Sequence, residues 1–336
     1  MYNSFIKFTI LSWNKSVFFK NNYTSCPVFK CEIIFNHRKS FDVDAILFEE
    51  EYITNKHRTK FILPRRKNNK VLNVYTSIQS PIPASKNGFK RNYKLPVDYF
   101  NLIFSYNSFS DIIFNYGGPW ILNEKLSKKP FNREDKDIFK YKDTPIIWIN
   151  KNCKKTKGQN YIINNLKSKI KLEQFERCND TLEINKTFTK KIYEKYYFYV
   201  VMDEAECQEY LTQSYWEAIT FNVVPIVTAR RIYKNVVPPS SFIAMDDYKN
   251  ADEMISYLNF LMENKEVYSR YFNYRNKGWM VLQKNDDYNV CNLCKKLIEH
   301  KRKGSYTKFK NINLWIHQYN NCSRKNYIPR YWKIIS

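Results

Sequence analysis

An apolar run, YYFYVV at 196–201, leads into Asp203, and Glu206 follows three residues later. That spacing is the signature of a capping box at the start of a helix. A helix start presents unpaired backbone N–H groups, which bind phosphate. A strand running into such a turn is therefore a place for a nucleotide. Cysteines offer a second chemistry: Cys26, Cys31, Cys153, Cys178, Cys207, Cys291, Cys294 and Cys322. By spacing, Cys26/Cys31 and Cys291/Cys294 could form a four-thiolate zinc site, and the even total also suits disulfides. His37, His57, His300 and His317 are isolated in sequence and read as surface groups. The six glycines form no GxGxxG and no Walker loop, and neither HExxH nor GxSxG occurs. Dehydrogenase, P-loop NTPase, zinc protease and α/β-hydrolase are poor readings on that ground.

The elements that must position these groups alternate between strand and helix. The run 43–48 (VDAILF) reads as a buried parallel strand. Residues 5–13, 70–78 and 99–105 are further strands in the first half. TPIIWIN at 144–150 opens a second domain. Periodicity predicts a helix over 159–170, with Tyr161, Ile162, Leu166 and Ile170 on one face. The capped helix is predicted to run from Asp203 to about Asn222, with Cys207, Tyr210, Leu211, Ser214, Tyr215, Ala218 and Ile219 inward. VVPIV at 223–227 is the next strand, and 250–262 and 265–277 are two more helices. Such alternation implies parallel sheets, whose ligands bind at the carboxyl ends of the strands. From Lys301 onward the chain reads as a basic, peripheral tail.

The net charge of +24 tempts a nucleic-acid reading, but Lys, Asn, Ile, Tyr and Phe are abundant together while Gly and Pro are scarce. That joint skew points to compositional bias, and no nucleic-acid-binding module is visible, so no nucleic-acid partner is expected. Residues 52–97 hold eleven Lys or Arg and no Asp or Glu. This stretch reads as a solvated basic loop. No run of about 18 apolar residues is present. The first 13 residues lack the layout of a signal peptide, so the chain alone shows no route into the secretory pathway.

The segment 198–279 carries a longer pattern. It reads FYVVMDEAECQEYLTQSYWEAITFNVVPIV, then VVPPSSFIAMDDY, a Tyr-Leu helix and YFNYR. It resembles the donor-binding half of the α1,3-fucosyltransferases of glycosyltransferase family ten. That family runs F-Y-L-x-F-E-N-S, D-Y-I-T-E-K, V-P-V-V, P-x-D-S-F-I, D-D-F/Y and Y-F-x-W-R. The resemblance extends over about 9–296. VDAILF resembles A-D-A-V-V-F, and Ser80-Pro81 resembles the end of E-S-P. Ser105, Tyr106, Ser110 and Asp111 match T-Y-R-x-D-S-D-I. Cys291-Asn292-Leu293-Cys294 resembles the C-terminal CxxC, and Asn152-Cys153 and Cys178 match S-N-C and G-x-C.

The resemblance implies an α/β, GT-B-like fold: two Rossmann-like domains facing each other across a cleft. Residues 1–143 would be the acceptor-side domain, 144–300 the GDP-fucose-binding domain and 301–336 the tail. It implies an inverting transfer of fucose from GDP-fucose to GlcNAc of glycoprotein glycans, with a carboxylate as base and cations on the leaving pyrophosphate. No cofactor beyond the donor is then required. It also implies a lumenal Golgi location and an N-terminal membrane anchor that this chain does not show. Disulfides follow from the same source: Cys153 with Cys178, and Cys26 and Cys31 either with each other or with Cys291 and Cys294.

Several ionic positions depart from the family pattern. Gln79 stands where E-S-P has its general-base Glu. An amide cannot take that proton, and losing a base typically costs about 10²–10⁴-fold. Ser214 replaces the phosphate-pairing Lys of T-E-K, and Gln213 replaces its Glu. Glu217 stands at the Asn three residues after that Lys, and Glu204 at the Asn of F-E-N-S. Gln159 replaces the Arg of the S-G-R-x-x-Y helix, and Asn107 the Arg of T-Y-R. Tyr210 is retained and is expected to line the donor site, and Tyr106, Ser110 and Asp111 the acceptor side. Core positions match where charged ones do not, so the alternative is an inactive member that keeps the fold as a glycan- or partner-binding protein.

Overall fold

The computed structural model describes residues 7–13, 19, 26, 29–39, 42–53, 63–66, 69–78, 95–116, 120–122, 138–150, 155–176, 192–203, 205–234, 236–281, 286–304, 306, 308–319, 321–323 and 326–335. The helices, in chain order, are α1 (Glu50–Ile53), α2 (Lys157–Lys167), α3 (Gln213–Thr220), α4 (Arg230–Tyr233), α5 (Ala251–Glu263), α6 (Lys265–Ser269), α7 (Asp286–Arg302), α8 (Ile312–Tyr319) and α9 (Tyr327–Tyr331). The chain divides into two units. The first comprises Met1–Asn115 and Lys284–Asn321, and the second Tyr116–Gln283 and Cys322–Ser336.

The first unit is built on β1 (Lys7–Ser12), β2 (Lys30–Ile34), β3 (Ala45–Glu49), β4 (Leu72–Ser77), β5 (Leu102–Ser105) and β6 (Ile112–Ile113). They pair in parallel in the order β2-β1-β3-β4-β5-β6, with Leu47 opposite Val74 and Val74 opposite Leu102. Alternate side chains leave a strand on opposite faces. Ala45 and Leu47 accordingly join one apolar cluster, while Ile46 and Phe48 join another. Leu293, Leu297 and Ile298 of α7 complete the first cluster, and Ile312 and Trp315 of α8 the second. A sheet apolar on both faces requires a cover on each. The helix α7, which the sequence reading grouped with 144–300, thus packs in the first unit.

Two disulfides explain that placement. Cys26 bonds to Cys291, and Cys31 on β2 bonds to Cys294. The four thiols that spacing could have given to zinc are paired in disulfides, in the long-range alternative of the two considered. Each such bond typically contributes about 2–4 kcal/mol by constraining the unfolded chain. Cys153 and Cys178 lie outside the described residues.

The second unit carries β8 (Thr144–Asn150), β9 (Leu172–Glu176), β10 (Tyr196–Val201), β11 (Val224–Val227) and β12 (Ile243–Ala244) in the parallel order β12-β11-β10-β8-β9. A short antiparallel pair joins β7 (Trp120–Leu122) to β13 (Trp279–Val281). One apolar cluster holds this unit together, from Ile146 and Phe198 to Leu258 and Tyr268.

Four expectations are corrected. The helix predicted from Asp203 begins ten residues later, at Gln213, with Thr212 as its N-cap. A helix cannot run through Glu209, which has φ 62. The helix predicted over 159–170 spans Lys157–Lys167, and Tyr161 is exposed while Ile163 is buried. The helix predicted over 265–277 ends at Ser269, in a short 3₁₀ turn over Arg270–Phe272. The tail is not peripheral: Ile312 and Trp315 enter the first unit's core, and Ile328 and Trp332 the second's.

Candidate functional site

Because the second sheet is parallel, the loops after all its strands emerge at one edge, where ligands of α/β sheets bind. At β10 the chain leaves Val201, passes Asp203 and reaches Thr212. The Thr212 hydroxyl donates to Asp203 Oδ1, and the Tyr233 hydroxyl donates to Asp203 Oδ2 at 3.1 Å. Asp203 therefore does not cap a helix as the sequence suggested. It ties the β10 loop to α3 and α4. The Thr212 hydroxyl also accepts from the Ser214 N–H at 3.4 Å.

Helix α3 carries three of the sequence-derived donor residues. Gln213 is exposed at its first position, and Ser214 is half-buried. The Ser214 hydroxyl faces Tyr199 on β10, whose phenol is pushed up by burial and next by Glu217. Glu217 accepts from the Tyr193 hydroxyl at 2.9 Å. Burial, followed by neighbouring Tyr199 and Glu217, also holds the Tyr193 phenol well above its ordinary value. Ser214, Glu217, Tyr193 and Tyr199 thus form one group. Tyr210 is buried in the loop ahead of α3, with its ring edge-on to Tyr116 at 6.0 Å.

Gln159 sits at the start of α2, beyond β8, in a reciprocal capping box. Its N–H donates to the Thr156 hydroxyl at 3.1 Å, and its Oε1 accepts from the Thr156 N–H at 2.9 Å. Its Nε2 donates to the Met202 carbonyl at 3.3 Å, linking α2 to the end of β10. Beyond β11 and β12 lies a paired group that sequence reasoning did not single out. Asp246 accepts from the Arg230 N–H at 2.8 Å, and Asp247 holds the Arg230 guanidinium through both carboxylate oxygens. The hydrogen bond to Asp247 raises the Arg230 pKa, while burial raises that of Asp246.

Glu206 is also at this edge. Burial lifts its carboxyl to about 7, partly opposed by Arg231, and its Oε2 has neither solvent contact nor a hydrogen-bond partner. Next to it Cys207 bonds to Cys322. Sequence spacing gave no signal for that bond, whose partners stand 115 residues apart.

In the first unit, Tyr106, Ser110 and Asp111 lie in the loop after β5. Asp111 Oδ2 accepts from the Ile103 N–H at 2.9 Å, and Oδ1 meets Lys310 Nζ at 2.9 Å. Asn107, at the position of the family's Arg, is buried and donates to the Tyr319 carbonyl at 3.1 Å. Tyr106 is buried, and Ser110 Oγ is sealed from solvent without a hydrogen-bond partner. Gln79 and Glu204 lie outside the described residues.

Two family models match this chain. The C-terminal model of glycosyltransferase family 10 (fucosyltransferase) covers residues 139–315, and the fucosyltransferase N-terminal model covers 6–117. The chain belongs to glycosyltransferase family 10, the fucosyltransferases. Within that family it is 27% identical over 298 residues to alpha-(1,3)-fucosyltransferase fut-1 of Caenorhabditis elegans, covering 85% of this chain and 64% of that protein. It is 24% identical over 314 residues to glycoprotein 3-alpha-L-fucosyltransferase A of Drosophila melanogaster, covering 90% of this chain and 58% of that protein. The chain thus spans about three fifths of the length of these two relatives. A crystal structure of an alpha1,3-fucosyltransferase with GDP superposes with a TM-score of 0.53 at 15% identity, covering 91% of this chain and 92% of the other. One with GDP-fucose gives 0.51 at 14% identity, covering 89% and 90%. The fold of this family-10 chain is therefore GT-B-like, with a parallel α/β sheet in each unit. Among the described residues no helix is long and apolar enough to cross a membrane.

Proposed function

We propose that this chain is an α1,3-fucosyltransferase that moves fucose from GDP-fucose to GlcNAc of glycoprotein glycans. The observation that carries the reading is the position of the family's donor segment, residues 198–279. Tyr210, Gln213, Ser214 and Glu217 stand on or just ahead of α3, at the carboxyl edge of a parallel sheet. In the reaction the acceptor hydroxyl forms a bond to the fucose anomeric carbon while the bond to the GDP oxygen breaks. The hydroxyl proton goes to a base, and negative charge collects on the pyrophosphate. Backbone N–H groups at a helix start stabilise such charge, and α3 starts at this edge.

Gln79 at the base position makes this a slow transferase, lowered by about 10²–10⁴-fold relative to a carboxylate. Gln79→Glu is expected to raise kcat by about 10²-fold or more, measured by transfer of labelled fucose to a GlcNAc-terminated glycan. A Gln79→Glu variant no faster than wild type would remove Gln79 from the base site. A second reading is an inactive member that binds glycans or a partner. It is favoured by the engagement of Gln159 with Thr156 and Met202, and of Glu217 with Tyr193, at the donor edge. Restored turnover only in Gln79→Glu combined with Ser214→Lys would select it. Three disulfides suit an oxidising compartment. They support a lumenal Golgi location.

A further inference from the structure

Residues 322–335, apart from 324 and 325, lie along the ligand edge of the second sheet and meet the loops after four of its strands. After β10, Cys322 bonds to Cys207, and the Ser323 N–H donates to the Glu206 carbonyl at 2.8 Å. After β11, Arg231 donates to Ser323 Oγ at 2.5 Å. After β12, the Trp332 Nε1–H is shared between the carbonyls of Met245 at 3.2 Å and Tyr248 at 3.1 Å. After β8, the side chain of Asn326 covers the first turn of α2: its Oδ1 stands 2.7 Å from where a Cβ on Gly158 would be. A side chain at 158 would have to push the Asn326 amide aside. Asn326 itself takes the left-handed conformation, φ 58, ahead of α9. Ile328 and Trp332 are buried in the unit's core. All of this lies beyond the region matched by the family's C-terminal model, which ends at 315.

We propose that this segment is a disulfide-tethered strap that closes the donor edge, so that a nucleoside diphosphate sugar gains the site only when Asn326 lifts from Gly158. The proposal rests on the donor-site reading above. The first turn of α2 is one of the helix starts at this edge, and with the strap down its approach is filled by an amide. A ligand that binds only the open form has its apparent Kd multiplied by the inverse of the open fraction. Cys322→Ser removes the tether. Asn326→Gly removes the plug and keeps the left-handed backbone at no steric cost.

The test is GDP binding by calorimetry for the wild-type chain and both variants, with hydrogen exchange of α2 and 327–332 followed in parallel. Cys322→Ser is expected to tighten GDP binding at least tenfold, and Asn326→Gly to act in the same direction by less. Faster exchange in the first turn of α2 should accompany both. Unchanged or weaker GDP binding in both variants, with the wild type binding, overturns the strap and leaves the donor reading standing. Unchanged exchange at α2 overturns it as well. Faster exchange with no GDP binding by any form overturns the donor reading, and the proposal with it.

Discussion

The two ends of the second sheet treat charge in opposite ways. At the amino end, Lys142 is buried just ahead of β8, with Nζ donating to the Tyr196 carbonyl at 2.5 Å. Burial, opposed by Glu194, lowers it to about 7. It sits 5.9 Å from the ring centroids of both Tyr197 and Tyr268. At the carboxyl end, Asp203, Glu206, Asp246 and Asp247 meet Arg230, Arg231 and Tyr233. The amino end buries one cation in an aromatic wall, with Lys171 and Lys195 paired to Glu173 nearer solvent, and the carboxyl end holds a network of acids. The first arrangement serves the fold, and the second sits where a ligand would meet it.

This contrast can be broken most forcefully at Lys142. Its pKa is lower folded than unfolded, so the folded chain binds fewer protons between about pH 7 and 10.5. The burden it places on stability is full below pH 7 and disappears as pH rises toward 10.5. Wild-type stability is expected to gain about 3 kcal/mol from this group between about pH 7 and 9.5. Lys142→Met should remove that slope in denaturant titrations while leaving GDP-fucose affinity unchanged.

At the other end the sign reverses. Glu206 is raised to about 7 from 4.5, so its burden is absent below about pH 4.5 and full above pH 7. Relative to wild type, Glu206→Gln should gain up to about 3 kcal/mol of stability as pH rises through that window. A parallel pair of curves would mean that the Glu206 carboxyl titrates normally.

Ser214→Lys sharpens the functional half of the comparison. A restored charge-assisted hydrogen bond to phosphate is worth about 1.5–3 kcal/mol. The expected gain in GDP-fucose affinity is about 10–100-fold, read by calorimetry. The smallest effect belongs to Tyr233→Phe, which removes the bond to Asp203 and should cost about 1 kcal/mol of stability.

The strands were the legible part of this chain. TPIIWIN and YYFYVV appear as β8 and β10 with the bounds read from sequence, because a parallel strand buried on both faces is a continuous apolar run. The parallel direction of the second sheet, and with it its carboxyl edge, was legible from the strand–helix alternation. Its details were not. Asp203 and Glu206 have the spacing of a capping box, yet Glu209 is left-handed and interrupts a helix there, and Cys207 is tied to a residue 115 positions away. Local pattern carries no record of such long-range constraints. The tail was misread because its basic residues outweigh two spaced apolar pairs, Ile312 with Trp315 and Ile328 with Trp332, which are what fold it into the two cores.

The central claim is that the carboxyl end of the second sheet receives the donor and the amino end does not. Hydrogen exchange with and without saturating GDP-fucose tests it most directly. The account predicts slower exchange over 210–217 and in the first turn of α2, with 142–146 unchanged. Exchange that is unchanged throughout, or slowed at 142–146 instead, would contradict it.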